Sequence, residues 1–143
     1  MGCDIHAFAE VLRDGRWDVV GDVFPLDEVD RTQQHKTYGN EPFSIRNYDV
    51  FGFLADVRTR DVPPICAAKG LPTERSARVN AAAGEWDLNR HSHSWLTLRE
   101  LLTAEALSPA MRDHLGDAFF ADLDVLKTLG PPDDVRVVFC FDN

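Results

Sequence analysis

Asp14-Gly15 stands between two runs of alternating side chains, and this constrains the fold more than any other feature of the chain. An Asp-Gly pair suits the two positive-φ positions of a tight hairpin turn, so the flanking runs should be neighbouring antiparallel strands. In the first run, over 3–12, Cys3, Ile5, Ala7, Ala9 and Val11 share one face, and Asp4, His6, Phe8, Glu10 and Leu12 the other. In the return run, over 16–23, Trp17, Val19 and Gly21 alternate with Asp18, Val20 and Asp22. A third alternating run closes the chain at 134–142, with Val135, Val137, Phe139 and Phe141 on one face.

Helix signals fill part of the interval. Asn47 is placed to cap a helix over 48–57 whose apolar stripe is Tyr48, Phe51, Leu54 and Ala55. Thr97 and Glu100 have capping-box spacing and start a helix over 97–106. Ser108-Pro109 starts another, over 109–129, with Met111, Leu115, Phe119, Leu123 and Leu126 at helical spacing. Residues 25–42 read as a long loop, and residues 61–94 as a long irregular segment broken by Pro63-Pro64, Gly70 and Pro72. The order ββα–coil–ααβ predicts an α+β fold in a single domain over 1–143. Its antiparallel sheet, the N-terminal hairpin plus the C-terminal strand, packs with three helices and the irregular segment.

The 143 residues suit one domain. No run approaches the roughly 18 apolar residues of a membrane span, and no basic-then-apolar leader opens the chain. The three cysteines, Cys3, Cys66 and Cys140, are odd in number and widely spaced, which argues for a reducing compartment. A cytoplasmic protein with no membrane partner is expected. Net charge is −9, yet residues 43–78 carry six basic side chains (Arg46, Arg58, Arg60, Lys69, Arg75, Arg78) against four acidic. Such a chain repels a phosphate backbone as a whole, so non-specific DNA binding is not expected. Its central arginines still suit a small anion.

Two polar clusters carry the candidate chemistry. Asp4 and His6 project from one face of the first strand. His91, His93, Ser94 and Trp95 form an extended lead-in to the 97–106 helix, where alternation puts His91 and His93 on one side and the helix N-terminus favours anions. Arg46, Tyr48 and Arg58 flank the aromatic helix, and Arg75 lies further along. Arginines with an aromatic ring suit a nucleotide, which has anions at one end and a flat base at the other. The expected ligand is small, phosphorylated and nucleotide-like. If the protein is instead a phosphodiesterase-type hydrolase, His6 and His91 are its acid and base, with Asp4 orienting one of them. The bland alternatives are a packed Tyr48 and Trp95 and surface pairing for the arginines. A third functional reading is a protein-binding inhibitor whose acidic ends meet a basic surface of another protein. A His-x-His metal pair would need Asp4 or His6 as a third ligand, and no strong metal spacing is present. Neither metal nor cofactor is expected.

Four blocks resemble a family of small bacteriophage and prophage proteins. They are Met-Gly-Cys-Asp-Ile-His at the start, Arg46 to Arg58 (RNYDVFGFLADVR), Lys69-Gly-Leu-Pro, and His93 to Leu101 (HSWLTLREL). The resemblance transfers no activity. It implies a phage context, in which small acidic proteins act on the host, some by sequestering or cleaving nucleotide-derived immune signals. Sequestering proteins of that kind gain from forming homo-oligomers, with Val135–Phe141 or the 109–129 helix as the expected interface.

Overall fold

The computed structural model describes residues 2–58, 61–86 and 89–142. In chain order its elements are β1 (Ile5–Arg13), β2 (Arg16–Val20), β3 (Phe24–Pro25), α1 (Glu28–Gln34), β4 (Tyr38–Gly39), α2 (Tyr48–Ala55), α3 (Ala77–Glu85), β5 (Arg90–Thr97), α4 (Leu98–Leu101), α5 (Pro109–Lys127) and β6 (Val135–Asp142). Four strands form one antiparallel sheet in the order β2-β1-β6-β5, and β3 and β4 form a small separate ladder. Asp14 and Gly15 both take positive φ, 53° and 76°, in the turn their sequence predicts. The fold is α+β.

Helices cover both sides of the sheet. On one side Ile5, Ala7, Ala9 and Val11 of β1 and Val135, Val137, Phe139 and Phe141 of β6 meet α2, α4 and α5 through Phe51, Leu54, Leu98, Leu101, Phe119 and Leu123. Each such buried Leu or Phe contributes about 1.5–3 kcal/mol relative to exposure. On the other side Phe8 and Val138 meet Val79 and Ala82 of α3, with Trp86 and Trp95 at the margin.

Local capping fixes where the site-bearing helices begin and end. The Asn47 side chain accepts hydrogen bonds from the Asp49 and Val50 N–H groups and so starts α2. Asp56, in the left-handed region at φ 59°, ends it. Gly116 breaks the middle of α5 at φ 82° and ψ 162°, a conformation that glycine alone adopts cheaply. The Asn47 Nδ2 group donates to the His114 and Leu115 carbonyls just before that break, at 3.2 Å each. One asparagine thus caps α2 and ties it to α5.

Several expectations are corrected. Pairing in β1 starts at Ile5, leaving Cys3 and Asp4 ahead of it, and β2 ends at Val20 rather than at 23. The 25–42 loop holds β3, α1 and β4, and the irregular 61–94 segment holds α3 and most of β5, so the described residues have five α-helices rather than three. Only Val79 and Ala82 are buried in α3, too little for an apolar stripe. The 97–106 helix is one turn of α4 followed by a 3₁₀ stretch, and the 109–129 helix ends at Lys127. The strand Val135–Phe141 is buried between β1 and β5 and offers no surface to a second copy. Arg60 lies outside the described residues.

Candidate functional site

The antiparallel pairing of β1 with β6 lays the end of the last strand beside the beginning of the first. Asp142 therefore reaches residues near the N-terminus. His6 Nε2 donates to Asp142 Oδ2 at 2.7 Å, and the Asp4 N–H donates to Asp142 Oδ1 at 3.0 Å. Arg90, opposite Asp142 in β5, places Nη1 3.8 Å from the same Oδ2. Burial alone would raise the Asp142 carboxyl, but the hydrogen bonds from His6 and the Asp4 N–H hold it below the usual carboxylate range. Asp142 so fixes the His6 ring and joins it to an arginine.

Asp4 is itself clamped by Arg46, whose Nε and Nη2 donate to the two carboxylate oxygens at 2.8 Å each. The hydrogen bond from Arg46 holds the Asp4 carboxyl below its ordinary value. Gly2 lies against the same guanidinium, and a Cβ there would come within 2.6 Å of Nη1. The Tyr48 hydroxyl accepts from the Cys3 N–H at 3.3 Å, and Arg58 sits 5.5 Å over the Tyr48 ring. Asp4, His6, Arg46, Tyr48 and Arg58 thus gather around the start of β1.

An open cleft of about 430 Å³ runs beneath α3, lined by His6, Phe8, Arg78, Trp86 and Arg90 together with acidic Glu41 and Glu85. The Phe8 and Trp86 rings stack with centroids 6.4 Å apart, and the Arg78 guanidinium lies 5.2 Å over Phe8. Glu41 spends one oxygen on the Ala7 N–H. Among the described residues, Arg90 Nε is the one buried side-chain nitrogen or oxygen without a hydrogen-bond partner. A buried donor left unmet costs about 1–3 kcal/mol. A second open space of about 510 Å³ shares Phe8, Asn40 and Arg78 with the cleft and extends it toward Ser76. Imidazole, guanidinium and flat rings in one cleft can take an anion joined to an aromatic body.

The other sequence candidates do not line this cleft. His6 alone among the ten does. A bulge between His91 and Ser94, with Ser92 at φ 55°, overturns the expected alternation. His91 lies opposite Phe141 and contacts its ring on the α2 side of the sheet, whereas His93 packs against Trp86 on the α3 side. His6, opposite Cys140, faces away from His91, so the two do not flank one atom as acid and base. Ser94 is fully buried and accepts from the Lys69 N–H at 2.9 Å. Trp95 is covered by the Lys69 ammonium, 3.8 Å from its ring centre. Thr97 and Glu100 close a complete capping box, so the helix end after β5 is already satisfied and offers no anion cradle. Arg75 is tied to Asn80 Oδ1 at 2.6 Å.

Sequence reasoning missed Asp142, Arg78, Arg90, Phe8 and Trp86 as site residues. The pairing of β1 with β6 was the available signal for Asp142, because that register sets 142 next to residue 4. Burial raises the Cys3 thiol and pushes Cys140 up to about 12, which disfavours the thiolate at both. On the opposite side of the sheet a smaller cavity of about 200 Å³ is lined by Phe43, Val50, Leu115 and Phe119 with Asp117 and Asp122, of which Asp122 is buried. It lacks the cations of the cleft. The chain matches no protein-family model, no curated protein and no solved structure.

Proposed function

We propose that this protein binds a small phosphorylated, nucleotide-like ligand in the cleft beneath α3, and that it is a phage-derived cytoplasmic factor that withholds such an immune signal from the host. The observation that carries the reading is the meeting of His6, Arg78 and Arg90 with the Phe8–Trp86 ring pair in one open cleft. The cations suit phosphate oxygens, and the rings suit a base. Self-association belongs to the same reading, with a light-scattering mass at a multiple of 16.1 kDa as its signature.

The test is to incubate the protein with linear and cyclic nucleotides, assay free ligand, then heat-denature the protein and identify what is released. Ligand that disappears and returns intact supports sequestration. Ligand that returns cleaved supports the second reading, a hydrolase, which the His6–Asp142 pair favours because a carboxylate orients the imidazole. Absence of any binding overturns both. Arg90→Ala and Arg78→Ala should each weaken binding about tenfold or more, since a charge-assisted hydrogen bond is worth about 1.5–3 kcal/mol. Their unliganded melting temperatures should stay near wild type, and a binding loss matched by a large melting loss would count against the site.

A further inference from the structure

Away from the cleft, three elements bring unlike ligating groups to one point. Asp49 stands in the first turn of α2, Asp61 in a bend six residues beyond the end of α2, and His114 in α5 just before its break at Gly116. One ligating atom from each lies within 4.8 Å of the other two. His114 Nδ1 and Asp49 Oδ2 are already 3.1 Å apart. Two ligands held at roughly 2.1 Å from one ion, at tetrahedral or octahedral angles, stand roughly 3.0–3.4 Å from each other. That pair therefore has the separation an ion requires, and the third group, within 4.8 Å, needs a shift of up to roughly 1.5 Å, within reach of a side-chain rotation. Asp61 is exposed and has no hydrogen bond or ion pair among the described residues, so it is free to make that shift.

The backbone around the group is held from both sides. Asn47, two residues before Asp49, caps α2 and donates to the His114 and Leu115 carbonyls. The break at Gly116 leaves those carbonyls available to it. The Asp49–His114 spacing is thus set by a cross-link between two helices and not by two mobile side chains alone.

We propose that Asp49, Asp61 and His114 form a binding site for a divalent transition-metal cation. Two carboxylates and one imidazole are a borderline-hard donor set, suited to ions of the Mn²⁺ or Zn²⁺ type. Three protein ligands on one side of an exposed ion leave its other positions to water or to a ligand oxygen. The site does not rest on the nucleotide reading, and its failure would leave the cleft untouched. No sequence motif announces it, because its ligands come from three separate parts of the chain.

The experiment uses the full chain, stripped with a chelator and titrated with Mn²⁺ alone, with free Mn²⁺ followed by electron paramagnetic resonance. One equivalent should bind, its spin-echo spectrum should carry the modulation of one imidazole nitrogen, and added Mn²⁺ should raise the melting temperature. His114→Gln should remove the nitrogen signature, and Asp61→Asn should weaken binding about tenfold or more. The Asp61 side chain is exposed, so Asp61→Asn keeps the proposal testable even if His114→Gln folds poorly. Failure of Mn²⁺ to bind, or binding that keeps its affinity and nitrogen signature in both variants, would overturn the site.

Discussion

Glu10→Ala is expected to lower the stability of this protein by about 3–5 kcal/mol, the usual cost of removing one partner from a buried ion pair. Glu10 and Arg136 face each other across β1 and β6, with side chains 0% and 6% exposed and Glu10 Oε1 2.7 Å from Arg136 Nε. Every other bond of the pair is also internal. Glu10 Oε2 accepts from the Ser76 N–H at 2.7 Å, Arg136 donates to the Glu74 carbonyl, and its guanidinium lies 3.7 Å from the centre of the Trp17 ring. Removing Glu10 leaves the Arg136 charge without its counterion and the Ser76 N–H without its acceptor, where water does not reach them.

Ser76 is the N-cap of α3, whose residues Arg78, Ala82 and Glu85 line the cleft. The same substitution should therefore loosen the ligand site as well as the core. At roughly 3 °C per kcal/mol for a domain of this size, the melting temperature should fall by about 10–15 °C. Glu10→Gln keeps an acceptor for Ser76 and separates the hydrogen bond from the charge. Glu10→Leu combined with Arg136→Met removes both charges at similar volume and should lie closer to wild type than to Glu10→Ala. A cost below about 1 kcal/mol for Glu10→Ala, the range of a surface pair, would show that the two charges are solvated and not buried.

How far the sequence discloses such features depends on whether a residue acts through local pattern or through distant pairing. The hairpin, both faces of β1 and the caps at Asn47, Thr97 and Ser108 are local, and each is present as read. α3 escaped because Ala77–Glu85 buries two small side chains against a sheet that is already covered at its margins. β5 escaped because a bulge lets polar residues alternate out of step and because Ser94 is buried with its hydroxyl satisfied. The chemistry of Asp4, His6, Arg46, Tyr48 and Arg58 was legible residue by residue, but their gathering near the start of β1 was not, because it depends on how α2 packs beside that strand. Its completion by Asp142 could have been drawn from the pairing of β1 with β6, whereas Arg90 arrives through β5, a strand the sequence did not disclose.

Asp122 gives a pH-dependent effect of comparable size. It is 6% exposed and faces the apolar cavity on the α5 side, where its Oδ2 accepts from the Phe43 N–H at 2.7 Å. Burial pushes its carboxyl up to about 7 from 3.8, against the lowering pull of that one hydrogen bond. An acid that holds its proton more tightly in the fold than in the unfolded chain stabilises the fold fully below its unfolded value. That contribution is lost as pH rises from about 4 through about 7. At 1.36 kcal/mol per pH unit, the loss amounts to a few kcal/mol, about 4 at most. Asp122→Asn keeps an acceptor for Phe43 and carries no charge to bury. The variant should therefore be more stable than wild type at pH 8 by a few kcal/mol, with the advantage gone near pH 4. Urea unfolding of both proteins at the two pH values reads the difference directly. An equal change at both would show that the carboxyl ionises as freely in the folded protein as in the unfolded chain, and that the cavity beside it is wet.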